Sequence, residues 1–185
     1  MKSLFNIFKK GTSTYFHEDF YCQVELLPIE NLEYLNNENV EVNNFSQEHL
    51  DGNGFTDLYE RNNNKFDTAS KSIDISEFTS EMDNSPFNKV DKVYTGYSSK
   101  GELCKNIIAY NLDKSEIFCE FEGNKIKNLF IQGFRFNKDS QNKKELIQTL
   151  NQLSNKWNLL LNDWDLCEVI NLKDIQAIDL YISEK

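Results

Sequence analysis

The stretch Glu116-Ile117-Phe118-Cys119-Glu120-Phe121-Glu122-Gly123-Asn124-Lys125-Ile126 decides the fold. Gly123-Asn124 sits where a two-residue hairpin turn belongs, between strand-like runs at Glu116 to Glu122 and Ile126 to Phe136. Outward from it, Val90 to Tyr97 and Cys104 to Leu112 read as two further strands. They are set off by turn residues at Ser98 to Gly101 and Asp113 to Ser115. Strands joined this closely have to be antiparallel neighbours, because a parallel pair needs a crossover of about a dozen residues or more.

C-terminal to these strands the period changes. Leu146, Ile147, Leu150, Leu153 and Trp157 fall on one side of a helix from about Gln141 to Asn158, with Ser140 or Asp139 able to cap it. Lys143, Lys144, Gln148 and Gln152 are expected on its exposed side. Leu159 to Trp164 and Leu166 to Leu172 read as a strand pair around Asp165, and Lys173 to Ile182 as a closing helix. On the N-terminal side, Phe20, Cys22, Val24 and Leu26 alternate with Tyr21, Gln23 and Glu25 as in a half-buried strand, which Pro28 ends. Ile29 to Leu35 suggests a short helix, and the Asn-rich run Asn36 to Asn44 a loop. Asp51-Gly52-Asn53-Gly54 is the strongest turn signal, followed by a short strand Phe55 to Tyr59. Arg61 to Lys71 reads as a loop, and Ser76 with Glu77 opens a brief helix that ends before Pro86.

The expectation is one α+β domain over residues 1–185: a predominantly antiparallel sheet with a long amphipathic helix, about 141–158, packed on one face. The length suits a single core. The apolar share is 39%, below the roughly 45–50% of globular chains. Fourteen Phe and eight Tyr offset that deficit, because aromatic rings bury large areas. Residues 1–10 imitate a signal peptide only briefly, and no apolar run approaches the roughly 18 residues that span a bilayer. A soluble cytoplasmic protein is expected. Cys22, Cys104, Cys119 and Cys167 lie far apart in strand-like segments, without metal or redox spacing, and are expected as buried thiols.

Charge is unevenly distributed. Residues 11–60 hold eleven Asp and Glu and no Lys or Arg, in a chain of net charge −10. Such a stretch attracts basic partners and repels nucleic acid and anionic lipid. Glu18, Asp19, Glu25, Glu38, Glu41, Glu48 and Asp51 are therefore the candidate partner-binding residues, with Glu38 and Glu41 read as flanking the Asn-rich loop.

Catalytic patterns fail on inspection. Gly96 to Leu103 has phosphate-loop glycine spacing but lacks the following Lys and Ser/Thr. Asp51-Gly52-Asn53-Gly54 begins like a calcium loop, yet its twelfth position is Asn62 instead of Glu. The only histidines, His17 and His49, both stand in the acidic stretch, and no paired ligand spacing accompanies them. Glu120 and Glu122 share a strand face that reads as solvated. No catalytic residue, metal, cofactor or small-molecule substrate is expected.

Tyr21-Cys22-Gln23-Val24-Glu25-Leu26-Leu27-Pro28, Phe55-Thr56-Asp57, Tyr94-Thr95-Gly96-Tyr97 and Asp163-Trp164 form an ordered set of short motifs. In these the chain resembles the small cytoplasmic immunity proteins of bacterial polymorphic-toxin systems, which accompany toxins delivered by type VI or related secretion machines. The resemblance implies a non-enzymatic α+β protein that binds and neutralises a cognate toxin in a stoichiometric complex. It carries over no catalytic residue. A basic toxin fits the charge, since nuclease toxins must hold phosphate backbones. Two alternatives remain: an acidic interaction or adaptor module with another partner, and a metal- or carboxylate-dependent enzyme using the histidine region.

Overall fold

A computed structural model describes residues 12–16, 23–52, 54–60, 64–96, 101–134, 136 and 140–185. The chain is α+β, and seven strands make one sheet in which every neighbouring pair is antiparallel. In chain order the elements are β1 (Ser13–Phe16), β2 (Val24–Pro28), α1 (Leu32–Glu48), β3 (Leu50–Asp51), β4 (Gly54–Phe55), α2 (Ile75–Asp83), β5 (Asn88–Lys89) and β6 (Lys92–Thr95). They continue with β7 (Ile107–Leu112), β8 (Ser115–Glu122), β9 (Lys125–Gln132), α3 (Gln141–Trp157), β10 (Leu159–Asp163), β11 (Glu168–Ile170) and α4 (Ile175–Glu184). The large sheet runs β11-β10-β2-β9-β8-β7-β5.

The central hairpin forms as its sequence dictates. Glu122 pairs with Lys125 across Gly123-Asn124, and Gly123 takes φ +61°, a conformation glycine adopts without steric cost. Gly133, just beyond β9, has a stricter requirement. Its φ is +79°, and a Cβ there would lie 1.9 Å from the Lys114 carbonyl oxygen. Only glycine lets the chain leave β9 against the β7–β8 turn.

One face of the sheet carries the main core. Val24, Leu26, Tyr110, Ile117, Cys119, Leu129, Ile131, Leu159 and Leu161 meet Phe78 and Met82 of α2, the Leu146, Ile147, Leu150 and Leu153 stripe of α3, and Ile178, Tyr181 and Ile182 of α4. Ser140 caps α3 by accepting the Lys143 N–H at 3.2 Å. Lys144, Gln148 and Gln152 are exposed as expected. Lys143 is not: it is buried, with Nζ 2.6 Å from Asp179 and 2.8 Å from Ser183, both on α4. Its hydrocarbon stem packs between the helices while its charge finds a partner.

The opposite face is covered at two ends by different elements. Leu27 and Leu160 pack with Leu35 of α1, and Ala109, Phe118 and Phe130 with Val90, Val93 and Phe16. β6 does not join the large sheet, as its short connections had suggested. After Val90 bonds back to Ala109, Asp91 captures Thr12, whose backbone N–H reaches Asp91 Oδ2 at 2.7 Å. β6 then pairs in parallel with β1.

The largest departure from expectation is α1. Residues 36–44, read as an Asn-rich loop, belong to a helix of 17 residues. Asparagine disfavours helix only weakly, about 0.7 kcal/mol per residue against alanine, and tertiary burial overrides that. Leu35 is fully buried against the sheet, and the buried Asn39 side chain donates to Asn162 Oδ1 at 3.0 Å. The strand expected at Phe55 to Tyr59 is reduced to Gly54–Phe55, paired with Leu50–Asp51 around the expected turn. Cys119 is buried in β8, but Cys104 lies just outside β7, and Cys167 occupies a turn at φ +54°. Neither is in a strand nor fully buried. Residues 1–11, which hold the signal-peptide-like start, and the Phe20 to Cys22 portion of the first strand, with Cys22 itself, lie outside the described residues.

Candidate functional site

The acidic surface is built on α1 and the segment that follows it. Pro28 ends β2, and the Ile29 N–H donates to Asn158 O at 2.9 Å, turning the chain out of the sheet. Asn31 holds the turn with two bonds to Phe66, Nδ2 to its carbonyl at 2.6 Å and Oδ1 from its N–H at 2.9 Å. At the far end of α1, the Phe45 carbonyl accepts both the His49 backbone N–H at 3.0 Å and the ring Nδ1–H at 2.9 Å. The His49 ring stacks on Phe45, centroids 3.9 Å apart, and the Tyr59 ring meets the same Phe45 edge-on at 5.3 Å. His49 is thus a helix cap. Its tautomer is fixed by that bond.

The seven candidate carboxylates divide into three groups. Glu41, Glu48 and Asp51 are exposed, on α1 and the β3–β4 hairpin. Glu25 is half-buried and accepts the Trp164 indole N–H at 2.9 Å. Glu38, expected to flank a loop, is a helix residue only 3% exposed, and Tyr59 Oη lies 3.2 Å from its Oε1. Glu25 and Glu38 are therefore structural, because a buried carboxylate is retained only when hydrogen-bonded. Glu18, Asp19 and His17 lie outside the described residues. Glu30, at the start of this region, is neutralised by Lys71 at 2.6 Å, which holds its carboxyl below the usual range. Among the described residues, the exposed carboxylates Glu41, Glu48, Asp51, Asp57 and Glu60 lie on the C-terminal half of α1 and the segment 50–60.

Tyr59 fastens that segment to the helix. Its hydroxyl lies 3.2 Å from Glu38 and 3.3 Å from Glu41, and burial together with the Glu38 charge pushes the phenol up to about 12. Tyr59→Phe is expected to cost about 1.5 kcal/mol, the low end for bonds to charged groups. It should also raise amide exchange across residues 50–58. A denaturant midpoint equal to wild type would show that the ring contact with Phe45 alone holds the segment.

Sequence reasoning missed the apolar members of this surface. Leu50, Phe55 and Leu58 are exposed among the acids. The available signal was Leu50 and Phe55 flanking a Gly-rich turn, the pattern of a hairpin too short to bury its own side chains.

Elsewhere several polar groups are engaged with one another. An open cleft of about 470 Å³ is lined by Gln23, Lys114, Gln132 and Lys185, but Lys185 is paired with Asp163 at 2.6 Å and Gln132 with Glu116 at 2.6 Å. Glu120 is held by Lys127 at 3.7 Å and Asn128 at 2.6 Å. Burial pushes the Cys104 and Cys119 thiols up, away from the thiolate a nucleophile requires. Among the described residues no three His, Cys, Asp or Glu gather to hold a metal, and no helix is long and apolar enough to cross a membrane. Comparison of the chain with family models, with curated proteins and with solved structures finds no match.

Proposed function

We propose that the chain is an immunity protein: a cytoplasmic, non-enzymatic inhibitor that binds a basic secreted toxin effector in a stoichiometric complex through the acidic surface of α1 and residues 50–60. The observation that carries the reading is the grouping of Glu41, Glu48, Asp51, Asp57 and Glu60 at the exposed surface of a segment that contains no Lys or Arg. Charges at the rim of an interface act chiefly on association rate and specificity, which is what an inhibitor that must reach its toxin first requires. The motif resemblance supplies the toxin as partner. Charge supplies its sign.

The experiment pairs the chain with the protein encoded beside it, where that protein ends in a toxic domain. Coexpression should relieve growth arrest, and native mass spectrometry should show a fixed-ratio complex. A well-expressed chain that gives no protection sinks the reading. In the complex, Glu41→Lys with Glu48→Lys is expected to slow association on the order of tenfold at low ionic strength and to flatten its salt dependence, with dissociation changed less. Both positions are exposed on α1, and although Glu41→Lys gives up the 3.3 Å contact with the Tyr59 hydroxyl, Glu38 keeps the other at 3.2 Å. Unchanged association would make the acidic surface a solvated face only.

A further inference from the structure

Leu50 and Phe55 are direct cross-strand partners in the β3–β4 hairpin, so their side chains stand on one face, 60% and 67% exposed. Leu58, on the same segment, is 91% exposed. A single exposed leucine needs no explanation, but three large apolar side chains within nine residues do. The described residues around them are already fastened to the helix. Thr56 donates its backbone N–H to His49 O at 2.8 Å and its hydroxyl to the same oxygen at 3.0 Å. The Leu58 N–H bonds Asp57 Oδ1 at 2.8 Å, and Tyr59 is tied to α1. A patch held in this way loses little conformational freedom when a partner covers it.

We propose that the 50–58 segment is the apolar anchor of the interface: Leu50, Phe55 and Leu58 seat in an apolar recess of a partner protein whose rim carries Lys and Arg. This rests on the reading that the partner is basic. Charge selects that occupant over the alternatives. A second copy of this chain would bring Glu48, Asp51, Asp57 and Glu60 against the same acids, and an anionic membrane would be repelled by them. The work divides accordingly: the acidic rim sets the rate of encounter, and the three apolar side chains set how long the complex lasts.

The test uses the full chain and two short synthetic peptides of equal length and charge, one amphipathic in Lys and Leu and one of Lys and Ser, read by fluorescence anisotropy at physiological ionic strength. The Lys/Leu peptide should bind about tenfold more tightly than the Lys/Ser peptide. The triple variant Leu50→Ser, Phe55→Ser and Leu58→Ser should abolish that preference while keeping the weak, salt-sensitive binding of both peptides. Phe55→Ser alone, which removes the largest of the three, should reduce the preference and guards against a misfolded triple variant. Glu41→Lys with Glu48→Lys should weaken both peptides alike. Equal affinity for the two peptides, or a preference that survives in a folded variant, overturns the proposal. So does a wild-type dimer that the triple variant dissolves, or binding to phosphatidylcholine vesicles that needs the same three residues. Because no toxin takes part, the two readings fail separately: lost preference with toxin protection intact overturns the anchor, and an intact preference without protection supports the anchor and removes the toxin.

Discussion

Leu150→Ala is expected to lower the free energy of unfolding by about 2–5 kcal/mol, the range for a large aliphatic side chain truncated where the surroundings cannot collapse. Leu150 is fully buried in the middle of α3, with Leu146 and Leu153 one turn away on either side, equally buried. The helix has little freedom to close the cavity. Lys143 is fixed to Asp179 at 2.6 Å near its start, Asn151 donates to Leu172 O at 2.9 Å, and Ser154 donates to Leu159 O at 2.6 Å near its end. On its flank Lys156 reaches Glu81 at 2.8 Å and Glu77 at 3.3 Å, tying α3 to α2. Gln148→Ala, on the exposed side of the same helix, should stay within about 0.5 kcal/mol. Urea melts of the two variants make the comparison. A Leu150→Ala loss as small as that of Gln148→Ala would mean the stripe does not face the core.

The elements that could be read in the sequence were those whose signals are local. The 3.6-residue period of the Leu146 to Trp157 stripe and the Gly123-Asn124 turn each specify their structure within a few residues; α3, β8 and the turn follow within a residue of expectation, while β9 ends at Gln132, short of the expected Phe136. Elements settled by distant partners were not legible. Five asparagines between 36 and 44 suggest a loop, yet that stretch is helical because Leu35 and Asn39 dock on a sheet face that otherwise lacks cover. The absence of Gly or Pro from residue 29 to residue 51 was the local hint that the run could remain helical. β6 follows expectation in part, bonding antiparallel to residues 102–104 through Tyr94 and Leu103, but its parallel ladder with β1 was not legible because β1 lies nearly eighty residues earlier in the chain, as the Thr12–Asp91 bond shows.

The candidate site divides in the same way. Net charge over a segment is a property of composition, and it was legible. Whether a given carboxylate is available to a partner depends on what the fold brings to it. Glu25 is engaged by Trp164, 139 residues away, and Glu38 turns inward beside Tyr59. The three apolar side chains at 50–58 were hidden for the converse reason. A Leu or Phe in sequence suggests core, and only the shortness of the hairpin leaves them outside.

Asp163→Ala is expected to cost about 3–5 kcal/mol, as for removal of one partner from a buried charge pair. Asp163 closes β10 with its side chain wholly buried. It accepts the Tyr181 hydroxyl at 2.7 Å, Lys185 Nζ at 2.6 Å, and the backbone N–H groups of Asp165 and Leu166 at 2.9 and 3.0 Å. Truncation leaves four donors without their acceptor, and three of them cannot move to water without undoing α4 or the β10–β11 turn. Asp163→Asn keeps the carbonyl oxygen for the two backbone donors but presents an amide to Tyr181 and Lys185, so its loss should be smaller. The alkaline limb of stability gives an independent reading. Burial first, and then the bond and charge of Asp163, raise the Tyr181 phenol above its ordinary value. A group whose folded pKa is raised contributes stability that is complete below its unfolded value, about 10 for tyrosine, and is lost as pH rises beyond it. Wild-type stability should therefore fall from about pH 10 upward. In Asp163→Ala the same fall should level off at a lower pH, because the charge is gone while the burial remains. Denaturant melts between neutral and alkaline pH decide it: parallel curves for the two proteins would show that Asp163 does not act on Tyr181.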